Sequence, residues 1–170
     1  ARFNVDKTKW FNHEYLLKKS SEEVGEEYLQ WLETEKGIKA DRDYVVKVAG
    51  LVKDRVNFVK ELWDQSFFFF EEPTTYDEVT VKKRWNENSP ELMRMAKELI
   101  LSIDDFSAEN IEKVLNEWIT SNELGMGPVM NGLRLMLVGA GKGPHIHEIL
   151  ELLGKEEAIK RIDKGLEVLG

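Results

Sequence analysis

The 170-residue chain has no cysteine and only three histidines, His13, His145 and His147. Without thiols there is no disulfide and no thiolate metal site. No apolar run reaches membrane-spanning length, and the start shows no charged-then-apolar secretory pattern. Positive charge is also short, with 24 Lys and Arg against 32 Asp and Glu, a net of −8. That deficit argues against broad binding to nucleic acid, which needs many cations on phosphates. It leaves open the reading of a few unpaired bases, which needs only a local site. The deficit is uneven: residues 1–86 carry 15 basic and 17 acidic groups, residues 87–170 carry 9 and 15. A polyanion is repelled least by the first half and by the turn around Lys142.

Hydrophobic residues make up 42% and charged residues 33% of the chain, the balance of a helix-rich globular protein. The pattern is helical almost throughout, with no strand signal, fixed-period repeat or low-complexity linker. Trp10 to Leu17 reads as a short opening helix. Ser20-Ser21-Glu22-Glu23 reads as a capping box ahead of a stripe of Val24, Tyr28, Trp31 and Leu32, ended by Gly37. Asp41 caps a long central helix that runs through Tyr44, Val48, Val52, Val59 and Leu62. The Phe67–Phe70 run before Glu71-Glu72-Pro73 reads as a buried plug, with an exposed base-stacking platform as the alternative. Val79 to Trp85 forms a short helix. Asn86 to Pro90 then reads as a helix junction with Ser89 as N-cap, dividing the chain into subdomains 1–88 and 89–170. Helices follow over Leu92–Ile100, from the Ser107 cap through Trp118, over Val129–Val138, from Pro144 to Leu153, and over Lys155–Leu169. The expected class is all-α.

Catalytic patterns are missing. Gly139-Ala-Gly-Lys-Gly-Pro144 lacks the Gly-Lys-Ser/Thr ending and the preceding strand of a phosphate loop. His145 and His147 on a helix would point about 200° apart, so they read as a polar first turn and not as a metal site. No serine sits in a nucleophile elbow, and the acidic groups show no metal or acid/base pattern. Catalytic residues, metal ligands and cofactor-binding residues are therefore all expected to be none. Two arginines remain: Arg55 on the long helix, and Arg134 between Leu133 and Leu135. Each reads as a buried or snorkelling ion-pair partner, or as a guanidinium fork for a planar base.

At three places the chain resembles the C-terminal anticodon-binding region of bacterial glutamyl-tRNA synthetases. Lys9-Trp10-Phe11-Asn12-His13-Glu14-Tyr15 is similar to the Trp-x-Asn-x-x-Tyr segment that opens this region. Val52-Lys53-Asp54-Arg55-Val56 resembles its long helix with a Lys/Arg-x-Arg turn. Leu133-Arg134, Gly139, Gly143-Pro144, Glu148-Ile149-Leu150 and Leu152 to Glu156 resemble its final segment without a gap. Gly143 stands where relatives can carry a hydroxyl side chain, Ile146 where they often have Leu, and the Phe run is heavier than usual.

The resemblance implies an all-α superhelical cage of two helical subdomains. It places Arg134 against the first anticodon base, and Gly143, Pro144 and Ile146 against the first and middle bases. Arg55 falls at the arginine that senses the third base. The partner implied is the tRNA for glutamate, bound by a cytoplasmic monomer with no membrane or DNA partner. The chain shows no His-x-Gly-His signature and no Lys-Met-Ser-Lys-Ser-like loop, so it is expected to be a C-terminal piece. ATP and Mg²⁺ would belong to the parent's catalytic half. A helical protein-interaction module is the competing reading, and a tRNA-editing or modifying enzyme a third.

Overall fold

The computed structural model describes residues 16–170. The Lys9–Tyr15 segment and most of the expected opening helix lie outside the described residues. Among the described residues the regular structure is helical, with no strand, in keeping with the all-α expectation. The chain divides into two compact units after Phe70.

The first unit is built on α1 (Ser21–Trp31) and α2 (Arg42–Val52). Ser20 and Glu23 form the expected capping box, and the Asp41 carboxylate accepts from the Tyr44 N–H at 3.1 Å. Val24 and Tyr28 of α1 and Val45, Val48, Ala49 and Val52 of α2 are fully buried. The expected long central helix is broken. It stops at Val52, passes through a single 3-10 turn (Lys53–Arg55), and turns extended at Val56 before a second 3-10 turn and α3 (Leu62–Ser66). Val56 is buried at the break, so the interruption turns an apolar side chain into the first unit's core.

The Phe run follows α3 as a 3-10 turn, Phe67–Phe69. Phe68 and Phe69 are buried, as the plug reading expects. Phe70 lies parallel to Trp63 (13°, ring centres 6.3 Å apart) and takes the rings of Tyr28 and Tyr44 edge-on. These aromatic surfaces are occupied by one another.

The second unit contains α4 (Glu78–Arg84), α5 (Ser89–Ser102), α6 (Ala108–Ser121), α7 (Met126–Val138), α8 (Ile146–Leu153) and α9 (Lys155–Leu169). α7 is apolar on nearly every face. Val129, Leu133, Leu135, Met136, Leu137 and Val138 are all buried, the pattern of a helix enclosed by others. α4, α5, α8 and α9 pack on it. Because α4 packs on α7, residues 71–88 belong with the second unit, and the division falls earlier than the junction expected at 88/89. That junction is a turn inside the unit. Ser89 is the first helical residue, one position later than its expected capping role, and its hydroxyl accepts from the Asn86 N–H at 2.9 Å.

The end of α7 is held by a residue the sequence reading passed over. Arg161 of α9 is 3% exposed. It donates to the Leu137 carbonyl at 2.8 Å and to the Glu157 carboxylate at 3.0 Å.

Candidate nucleic-acid interface

The glycine-rich turn after α7 is shaped by backbone that only glycine adopts readily. Gly139 ends the helix at φ 82°, with its N–H on the Leu135 carbonyl. A Cβ there would lie 2.7 Å from the Thr75 carbonyl oxygen and 2.9 Å from Pro73 Cβ. The Gly139 carbonyl accepts from the Asp77 N–H at 2.8 Å, joining the turn to the start of α4. Asp77 caps α4 by accepting from the Thr80 N–H and hydroxyl at 3.0 and 2.6 Å. Those bonds hold its carboxyl below the usual carboxylate range, and Lys142 adds a smaller pull. Gly143, at φ 125°, makes the second sharp step.

Pro144 is not the first residue of α8. The helix begins at Ile146, and the N–H groups of Glu148 and Ile149 both donate to the His145 carbonyl at 3.0 Å. The Pro144 carbonyl, which an earlier start would have committed to the helix, instead accepts from the Arg134 guanidinium at 2.7 Å. Arg134 is half-buried. It thus spans from α7 to the far side of the turn and fixes where α8 begins.

The same shift changes the two histidines. His145 is the extended N-cap and lies outside the helix, so its ring does not diverge by the helical angle. It stacks on His147 at 8° with ring centres 5.2 Å apart. The His147 Nε2 lies 2.9 Å from a Glu112 carboxylate oxygen. Among the described residues no three or more His, Cys, Asp or Glu side chains are grouped to hold a metal.

The second unit therefore brings Arg134, Gly143, Pro144 and Ile146 into one corner. The side chains of Pro144 and Ile146 are buried, so a partner at this corner meets backbone and the half-buried Arg134. Arg55 belongs to the first unit. It is exposed on the 3-10 turn between buried Val52 and Val56. The buried ion-pair reading therefore fails for Arg55. Neighbouring Lys53 donates to the Lys19 carbonyl at 2.7 Å, which leaves Arg55 as the outward cation of the pair. Arg161 and the Glu112–His147 contact escaped the sequence reading. A signal for Arg161 was available in Glu157, four residues earlier on the same helix.

The described residues are thus all-helical in their regular structure, with Arg55 exposed on a turn of the first unit and Arg134 tied to a glycine-rich turn of the second. A family model described as "Anticodon binding domain" matches residues 21–166. The chain belongs to that anticodon-binding domain family. It is 52% identical over 169 residues to a glutamate–tRNA ligase of Phocaeicola vulgatus and 47% identical over the same length to that of Flavobacterium psychrophilum. In each case 99% of this chain covers 33% of the relative. The chain thus spans about a third of the length of the curated relatives it matches. A crystal structure of a glutamate–tRNA ligase from Elizabethkingia meningosepticum, in complex with its amino acid, superposes with a TM-score of 0.92. It is 39% identical, and the match covers all of this chain and 34% of that one. The ligase structure from Elizabethkingia anophelis gives 0.86 at 39% identity, over 98% and 32%. The protein-interaction reading finds no support in these similarities. No helix among the described residues is long and apolar enough to cross a membrane.

Proposed function

We propose that this chain is the anticodon-binding domain of a glutamate–tRNA ligase, and that it binds the anticodon loop of the tRNA for glutamate. The observation that carries the reading is the similarity to glutamate–tRNA ligases along 99% of the chain. The parent enzyme attaches glutamate to tRNA in the cytoplasm with ATP and Mg²⁺, which belong to the remaining two-thirds of the protein. This domain works as a monomer and does no chemistry of its own.

Splayed anticodon bases lie against the Arg134–Pro144 corner. Arg134 holds the turn and meets the first base, while backbone at Gly143, Pro144 and the start of α8 at Ile146 meets the first and middle bases. Burial of the Ile146 side chain supports a backbone role there, while the Pro144 carbonyl already holds Arg134 in place beside the bases. Arg55 reads the third base, and its exposure on a turn supports that role.

An arginine on a base edge discriminates by about 1–3 kcal/mol. Arg55→Ala in the full-length ligase is therefore expected to relax discrimination between C and G at the third anticodon position by roughly tenfold to a hundredfold. Because the side chain is exposed, stability should stay within about 0.5 kcal/mol of the parent. Steady-state charging of transcripts differing only at that base measures it. Equal losses on both transcripts would remove Arg55 from the reading role.

A further inference from the structure

The second unit is acidic, with 12 Lys and Arg against 19 Asp and Glu over residues 71–170, yet its cations are not evenly neutralised. Lys97 pairs with Asp163, Lys160 and Lys164 flank Glu72, Arg94 pairs with Glu91, and Arg161 with Glu157. Lys155 and Arg134 donate to backbone carbonyls. Five cations make no ion pair or hydrogen bond among the described residues: Lys82, Lys83, Arg84, Lys113 and Lys142.

Four of those five come from two segments that touch. Lys82, Lys83 and Arg84 are exposed on the last turn of α4, and Lys142 is exposed at the tip of the glycine turn. The two segments are joined by the Asp77 N–H bond to Gly139 and by the approach of Gly141 to Thr80. A Cβ on Gly141 would lie 3.2 Å from Thr80 Cγ2. Asp77, the cap of α4, attracts Lys142 and offsets part of its charge. Glu78 stands at the same first turn, away from Lys82, Lys83 and Arg84 on the last turn, so those three cations keep most of their charge.

We infer that Lys82, Lys83, Arg84 and Lys142 form a docking surface for the phosphodiester backbone of an RNA strand. The inference rests on the anticodon reading for its choice of RNA, and adds to it a surface that positions the strand without reading bases. Three arguments support this occupant. Unpaired cations gathered in an acidic unit complement a polyanion. The segment that presents Lys142 continues directly into Gly143 and Pro144, so a strand at the corner runs past it. The three cations fan around the last turn of α4, with Lys83 and Arg84, three and four residues beyond Thr80, on the side that meets the glycine turn; long cationic side chains spread in this way suit the repeated charges of a phosphate backbone.

The test is salt-dependent binding of the full 170-residue chain to two RNA hairpins. One carries the glutamate anticodon loop and the other the same stem with a scrambled anticodon. The fourfold variant K82Q/K83Q/R84Q/K142Q changes only exposed side chains, and far-UV circular dichroism checks its helicity. If the surface binds phosphates, the variant weakens binding of both hairpins by a similar factor, about tenfold at low salt. The slope of log K against log salt should also become shallower by about 2–3, at roughly 0.7 per phosphate contact on a single strand. Lys113→Gln, the isolated fifth cation, should leave the slope unchanged. An unchanged slope in the fourfold variant, with the parent chain still preferring the glutamate loop, overturns this inference and spares the anticodon reading. A parent chain that binds both hairpins equally, with a slope that falls in the variant, supports the surface and overturns base reading by the isolated domain.

Discussion

The Arg134 guanidinium donates to the carbonyl oxygen of Pro144 at 2.7 Å, across ten residues of chain. One side chain therefore ties the middle of α7 to the residue just before the cap of α8. A hydrogen bond from a charged donor contributes about 1.5–3 kcal/mol, so Arg134→Ala is expected to lower unfolding free energy by about 1–2 kcal/mol and to weaken hairpin binding. Arg134→Lys keeps a cationic donor for the carbonyl but loses the planar fork. It should recover most of the stability and little of the binding. Urea denaturation and hairpin titration of both variants check this. Full recovery of binding by lysine would mean that Arg134 acts only by holding the turn.

Gly139 and Gly37 give a matched pair for testing the turn. Both have positive φ, 82° and 66°, but Gly37 has open space where a Cβ would go, while Gly139 faces Thr75 and Pro73 within 3 Å. Gly37→Ala should cost about 1 kcal/mol, the left-handed backbone term alone. Gly139→Ala adds a steric clash with backbone and should cost roughly 2 kcal/mol more. Thermal or urea unfolding of the two single variants reads the difference directly. Similar losses at both positions would mean that the Pro73–Thr75 segment yields without cost.

Much of the helical framework is legible from local chemistry. The Ser20, Asp41 and Ser107 caps and the Lys155–Leu169 helix stand where the sequence places them, because a side-chain oxygen on an N–H, or a glycine before a periodic run, is a local signal. The break after Val52 is not local. Val59 and Leu62 continue the apolar period, yet the chain turns extended at a buried Val56, an outcome set by tertiary packing that no local signal carries. The start of α8 escapes for a related reason. Proline suits a first helical position, but the Pro144 carbonyl is claimed by an arginine ten residues earlier. At the site, Arg134 and Arg55 look alike in sequence, each a cation on an apolar run. Tertiary packing half-buries the first and leaves the second exposed on a turn.

Tyr28 links the aromatic cluster to alkaline stability. Its hydroxyl lies 2.8 Å from Ser66 Oγ, and the Ser66 hydroxyl donates onward to the Leu62 carbonyl. The serine has one proton, so the tyrosine is the donor between them. Burial pushes the phenol well above its usual value, while the Ser66 hydroxyl, which can turn to donate to the phenolate, pulls it down less and Asp64 adds a small rise. The unfolded chain releases the proton near pH 10, below the folded value. The associated stability is present below pH 10 and falls as pH rises through the folded value. Tyr28→Phe should cost about 1 kcal/mol at neutral pH and flatten the decline above pH 10. Urea midpoints from pH 7 to 11 for both proteins check the slope. Parallel curves would place the alkaline sensitivity at another group.

Arg161 is nearly sealed from solvent at 3% exposure, with Nε on Glu157 at 3.0 Å and one terminal nitrogen on the Leu137 carbonyl at 2.8 Å. The carbonyl belongs to the last turn of α7, where helix geometry leaves acceptors unpaired and a cation is favourable. Removing the guanidinium therefore has two costs, an unpaired carbonyl and a cavity beside α7. Glu157 keeps access to water, with its side chain 34% exposed, so it is not left as a buried charge. Arg161→Ala is expected to destabilise by about 3–4 kcal/mol, toward the low end of the range for breaking a buried pair. Arg161→Met fills much of the volume without restoring the bond, and should recover about half of that loss. Equal losses in the two variants would assign the whole cost to the Leu137 carbonyl. Near-complete rescue by methionine would show that packing against α7, and not the hydrogen bond, is what Arg161 supplies.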